Sequence, residues 1–271
     1  MTSATILGCE GPRLSPSEAA FFREADPWGF TLFVRNVETP DQLRALMQDL
    51  RDTVGRDAVG FDSNCAPVAD VATCETHSFL RNRCYGDSAE VVTGLARAAS
   101  DAMLAGGVVS VIKHMPSHVR ALADSHKELP TVTTDAETLR RVYFSPVVAL
   151  ADMPMAMTAH IVLTAFDPEA SATQSPEMIR IIREEIGFGG LLISDDLNMQ
   201  ALGSTLSERA EKSVWAGCDI ALHYAGVMVE MEVVVAAFGA MTPAAVTRGE
   251  VALAMRQRPE AVDTEGAGGG A

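Results

Sequence analysis

Residues 175–199 read SPEMIRIIREEIGFGGLLISDDLNM. Ser175 offers a hydroxyl to the free N–H groups of a helix start, and Pro176 sits in the first turn, where its missing donor costs nothing. An apolar run, Gly190–Ser194, follows and ends abruptly at Asp195 and Asp196. A capped helix followed by an apolar strand with a polar end is the repeating unit of a parallel α/β fold.

The same unit recurs along the chain. Two further helix starts, Ser15-Pro16-Ser17-Glu18 and Thr39-Pro40-Asp41-Gln42, add the Glu or Gln of a capping box. Strands are expected at Ala4–Gly8, Gly29–Val34, Ala58–Phe61, Cys65–Val68, Val108–Lys113, Met155–Val162, Gly190–Ser194 and Asp219–His223. Most are apolar throughout, as strands buried on both faces must be, and end in polar residues. Eight of them predict a (β/α)8 TIM-type barrel with its chemistry at the C-terminal strand ends. One junction does not fit. Only Asp62, Ser63 and Asn64 separate the third run from the fourth, whereas parallel neighbours need about a dozen residues to cross over. Either these two runs form one continuous strand, or the crossover between strands 3 and 4 is missing and the barrel is imperfect.

The 271 residues are 48% hydrophobic and 21% charged, enough for one sizeable core. A single catalytic domain is expected over 1–258, with a disordered tail at 259–271, where apolar content is too low to pack. A formal net charge of -15 would repel phosphate backbones, so no nucleic-acid partner is expected. The opening MTSATILGCEGPRL has no basic segment leading into an apolar one, and no window holds the roughly 18 unbroken apolar residues of a membrane span. A cytoplasmic protein without membrane contact is the expectation. Five dispersed cysteines, with no C-x-x-C pair, suggest neither a disulfide framework nor a zinc site, and are read as reduced, mostly buried thiols.

Two strand ends are rich in reactive groups. Lys113 to Lys127 packs His114, His118, His126, Asp124 and both terminal lysines into one loop. Ser194-Asp195-Asp196 places adjacent carboxylates where successive side chains diverge, so at most one faces inward; Asp196 reads as a helix N-cap. A nucleophile and a proton donor on different loops of one rim suit glycosidic cleavage. His77, His118 and His223 read as structural or solvated, and Met153 to Met157 as core filling.

The segments GCEGPRLSPSEAAFF, WGFTLFVRNV, NCAPVADV, RCYG, KHMPSH, ADSHKELP, AMTAHIV, IIREEIGFGGLLISDDLNM and AGCDIALH occur in this order. Jointly they resemble the cytoplasmic β-N-acetylglucosaminidases (NagZ type) of glycoside hydrolase family 3, its α-proteobacterial members above all. The resemblance implies retaining hydrolysis of terminal β-linked N-acetylglucosamine, as in a muropeptide fragment, without metal or cofactor. It implies Asp195 as nucleophile, His126 as acid/base, and Asp124 as the carboxylate that orients the imidazole. Asp62, Arg83, Lys113 and His114 match sugar-binding positions, and His160 is a further pocket candidate.

The family continues from the Asp62 position into a D-Q-E-G-G-R-V-Q-R-L loop and a helical stretch. Here roughly 30 residues of crossover are absent. The family's K-H-x-P-G-H-G appears as Lys113-His114-Met115-Pro116-Ser117-His118-Val119, so both glycines are replaced. Either replacement would be strained if a positive φ were required. Two rival readings stand beside the enzyme: a catalytically impaired relative that binds a sugar or a partner, and a zinc hydrolase ligated by His114, His126, His160 and Asp195.

Overall fold

The computed structural model describes residues 1–55, 63–118 and 129–256. The expected strand Ala58–Phe61, Asp62, Val119, Asp124, His126 and the 259–271 tail lie outside the described residues. In chain order the elements are β1 (Ser3–Gly8), α1 (Pro16–Ala25), β2 (Pro27–Thr31), α2 (Pro40–Val54), β3 (Ser63–Asn64), α3 (Ser78–Arg81), α4 (Ala89–Ala105), β4 (Val109–Met115) and β5 (Thr131–Val132). There follow α5 (Ala136–Thr138), α6 (Ser145–Ala149), β6 (Met155–Thr158), β7 (Val162–Leu163), α7 (Pro176–Arg180), β8 (Leu191–Asp196), α8 (Leu206–Ala216), β9 (Ile220–His223), α9 (Met228–Phe238) and α10 (Pro243–Ala254).

Seven strands form one sheet in the order β2-β1-β9-β8-β6-β4-β3, and every pairing in it is parallel. Trp28 and Phe30 from one edge, Ser63 and Asn64 from the other, and Val111 and Ile193 between them line a single cavity of about 540 Å³. The sheet therefore rolls up until its two edges face a shared interior. This is an imperfect barrel. A cyclic order would place one more strand between β2 and β3, which is where Ala58–Phe61 falls in the sequence.

Buried apolar side chains from β4, β6, β8 and β9 form one core with the covering helices. A second cluster, built on Leu7, Phe22, Leu46, Leu50 and Met231, packs α1, α2 and α9 around β1. A Cβ on Gly190 would lie 2.5 Å from the Pro154 carbonyl oxygen and 2.8 Å from that of Met153, so only glycine lets the chain enter β8 so close to β6.

Several boundaries differ from the sequence reading, each for a local reason. The run expected over Gly29–Val34 leaves the sheet after Thr31; Val34–Asn36 forms a tight turn held by Asn36, whose side chain accepts from Phe33 N and donates to the Cys9 and Gly11 carbonyls. Cys65–Val68 stays beside β4, with Val111 N and Lys113 N donating to the Ala66 and Pro67 carbonyls, but Pro67 has no N–H to complete a regular ladder. The run Met155–Val162 breaks after Thr158, where Thr158 and His160 both bond Thr173, and Val162–Leu163 pairs with β5 instead. The capping box forms at Ser15 and Glu18. At Thr39 only half of it does, because the Gln42 side chain reaches past the cap to Glu38 N. The thiols are less buried than expected: Cys9 and Cys218 are enclosed, whereas Cys65 and Cys74 are exposed.

The end of the sheet opposite the polar rim is pinned by Asp219, just before β9. Its carboxylate accepts from Arg183 at 2.6 Å, Arg248 at 2.7 Å and Leu192 N at 2.9 Å. Removing one member of such a buried group strands the others. Asp219→Ala should therefore lower the unfolding free energy by about 3–5 kcal/mol in urea titrations; a loss below about 1 kcal/mol would show that solvent already screens both arginines.

Candidate active site

Because the sheet is parallel, Met115, Thr158 and Asp196 end their strands at one rim. Successive residues of β8 alternate in direction. Ser194 and Asp196 turn away from the interior, where Ser194 Oγ accepts from Leu222 N at 3.0 Å and Asp196 Oδ1 from Tyr224 N at 3.2 Å. Asp195 faces the mouth, its Oδ2 lying 4.0 Å from His114 Nε2. The expectation that only one of the two carboxylates points inward fits this alternation. Asp196, however, is no helix cap: the short helical turn that follows begins at Gln200, after Met199.

Asp195 is braced from behind. Its N–H donates to Thr158 Oγ1 at 3.3 Å; Thr158 bonds Thr173 at 2.8 Å, and Thr173 reaches His160 Nδ1 at 2.9 Å. His160 Nε2 donates to the Asp196 carbonyl at 2.9 Å. Both ring nitrogens are thus committed, and burial lowers the pKa of His160. His160 is a brace for the end of β8. It has no free nitrogen for a metal, which removes it from the zinc set; among the described residues no group of His, Cys, Asp and Glu is arranged to hold a metal ion. Burial pushes the Asp195 pKa up, but the His160 and His114 imidazoles, the Asp196 N–H and Lys113 together hold it below the usual carboxylate range. It is an ionised carboxylate at neutral pH, as a nucleophile must be.

The sugar-binding and acid/base residues suggested by the sequence are placed differently. His114 is buried and faces Asp195. Lys113 is half-buried on the same strand, its pKa lowered by burial, with Cys65, Arg83 and Asp195 in its field. Arg83, just past α3, is an exposed residue whose charge is felt at Lys113 and Cys65. Asp62, Asp124 and His126 lie outside the described residues. Ser117 does not adopt a positive φ, so the strain considered for a glycine replacement does not arise there.

One residue was overlooked. Asp70, fully buried, accepts from His114 Nδ1 at 2.7 Å and His118 N at 2.6 Å, with Ser117 Oγ at 3.4 Å. It lies just past the Cys65–Val68 run, so the rule that directed attention to polar strand ends would have found it. His118, read as structural or solvated, is buried edge-on against His114 at 5.0 Å, and burial lowers its pKa to about 4.

Residues 36–256 match the glycosyl hydrolase family 3 N-terminal domain. The chain belongs to that family. A β-hexosaminidase of Nitrosomonas eutropha is 32% identical over 169 residues, covering 61% of this chain and 48% of that relative. Another, of Alkalilimnicola ehrlichii, is 28% identical over an alignment of 276 positions, covering 80% of this chain and 79% of the relative. The chain spans about half the length of the first of these. Among solved structures, a family 3 β-N-acetylglucosaminidase from Paenibacillus superposes with a TM-score of 0.85 at 22% identity, covering 96% of this chain and 63% of that one. NagZ from Neisseria gonorrhoeae, in complex with N-trifluoroacetyl-D-glucosamine, superposes with a TM-score of 0.80 at 22% identity, covering 93% of this chain and 90% of that one. These likenesses establish the family 3 barrel fold.

Within that fold Asp196 is the outward partner of the inward carboxylate. Burial pushes its pKa up to about 7 against the N–H groups of Tyr224 and Asn198. The folded chain therefore holds a proton that the unfolded chain has already released. The resulting stabilisation is complete at acid pH and disappears as pH rises through about 7. Asp196→Asn, which has no proton to lose, should gain roughly 2–4 kcal/mol on the wild type between pH 4 and pH 8 in paired denaturation curves. A pH-independent difference would show that Asp196 ionises like an exposed carboxylate.

Proposed function

We propose that this chain is a β-N-acetylhexosaminidase that removes terminal β-linked N-acetylglucosamine from its substrate with retention of configuration. The observation that carries the reading is Asp195: a single inward-facing, ionised carboxylate at the end of a barrel strand, next to His114 and Lys113. In the proposed reaction Asp195 attacks the anomeric carbon and the leaving oxygen takes a proton. The resulting glycosyl ester on Asp195 is then cleaved by water, which loses a proton to the same acid/base group. By resemblance that group is His126, oriented by Asp124. His114, Lys113 and Arg83, with Asp62, would bind the sugar hydroxyls through charge-assisted hydrogen bonds that hold the ring over Asp195.

The names carried by the family 3 relatives support the reaction class. We further infer that the natural substrate is a muropeptide fragment bearing N-acetylglucosamine, handled in the cytoplasm without metal or cofactor. Among the described residues no helix is long and apolar enough to cross a membrane. The purified chain should release 4-nitrophenol from its N-acetyl-β-glucosaminide, and Asp195→Ala should reduce the rate by at least about 1,000-fold. Proton NMR of early product should show the β-anomer first. Binding of N-acetylglucosamine without turnover would instead identify an impaired relative, and an α-anomer would refute the double displacement.

A further inference from the structure

Asp70 is fully buried, and among the described residues its hydrogen bonds come from one five-residue stretch, His114 to His118. A carboxylate so enclosed is costly unless its oxygens are satisfied by good donors. Here the satisfied partner is the ring that faces the candidate nucleophile. Because Asp70 Oδ2 is an acceptor 2.7 Å from His114 Nδ1, that nitrogen must carry the proton. The opposite nitrogen, Nε2, then looks across 4.0 Å to Asp195 Oδ2. That separation is beyond hydrogen-bond reach, so both Nε2 and the Asp195 carboxylate keep their capacity for a substrate hydroxyl. Asp70 Oδ1, meanwhile, accepts from His118 N at 2.6 Å, which fixes the backbone there.

We propose that Asp70 is a positioning residue for the hydrolase reaction: it sets the tautomer and orientation of His114, so that Nε2 meets a sugar hydroxyl beside Asp195. The inference rests on the function proposed above, but its structural half does not need turnover. An outer carboxylate that fixes which imidazole nitrogen bears the proton is a recurrent device, and replacing such a carboxylate by its amide commonly leaves the fold intact while costing orders of magnitude in rate.

The test combines kinetics with nitrogen-15 NMR of the histidine rings in the full chain, the His114 signals being assigned by their loss in His114→Gln. In the wild type, Nδ1 should carry the proton at neutral pH. In Asp70→Asn the amide can present N–H to Nδ1, so the ring proton should move to Nε2. The rate constant kcat should fall about 100-fold or more while KM changes severalfold at most. A wild-type spectrum with a bare Nδ1 overturns the proposal even if Asp70→Asn fails to fold. So does a folded Asp70→Asn protein with unchanged His114 signals and near-normal kcat. If the wild type shows no turnover at all, the assigned activity fails, and the nitrogen signals still decide whether Asp70 positions the ring.

Discussion

The uniform parallel pairing of the seven-stranded sheet is the constraint on which the rest of the molecule depends. Hydrogen bonding in one direction brings every strand's C-terminal end to the same rim, so polar residues far apart in sequence converge without any dedicated device. Thr158, Asp195 and His114 come from three different strands, β6, β8 and β4, which are neighbours in the sheet order. The buried apolar faces of those strands and the helices over them hold the rim rigid. The ion group at Asp219 does the same at the opposite end, tying β9, the start of β8 and α10 together.

The site is held by two buried polar networks that meet at Asp195. One runs from His160 through Thr173 and Thr158 to the Asp195 N–H, fixing the backbone that presents the carboxylate. The other runs from Asp70 to His114 and ends facing Asp195 Oδ2. In a water-poor interior such chains are strong when every member is satisfied, and they position groups more sharply than apolar packing can. The electrostatics agree with this division of labour. Asp195 is held ionised among donors and cations, whereas its neighbour Asp196, turned outward into a desolvated position, keeps a proton. Two identical side chains, adjacent in sequence, therefore have pKa values shifted in opposite directions, because strand alternation gives them different surroundings.

The junction around Asp62 bears on the architecture. Both sheet edges, β2 and β3, line the same cavity. Residues 56–62, which fall between them in sequence, lie outside the described residues.

Most of the strands, the three Ser/Thr-Pro helix starts, the parallel fold and the rim where chemistry belongs were legible in the sequence, because apolar runs, Ser/Thr-Pro caps and polar strand ends are local signals. The inward direction of one residue of the Asp195–Asp196 pair was legible for the same reason, since alternation is a property of any extended strand. Partners that depend on distant segments were not legible. That His160 would be spent on Thr173 and the Asp196 carbonyl, that Asp70 would clamp His114, and that His118 would be buried edge-on against His114 follow from which strands lie side by side. Pro67 and Asn36 also altered strand limits through single donors and acceptors that no periodicity reports. The sequence alone determined what could be an interior strand and which residues carried charge at its end; the tertiary structure decided which charges face each other, because desolvation and hydrogen-bond partners exist only once the sheet has closed around them.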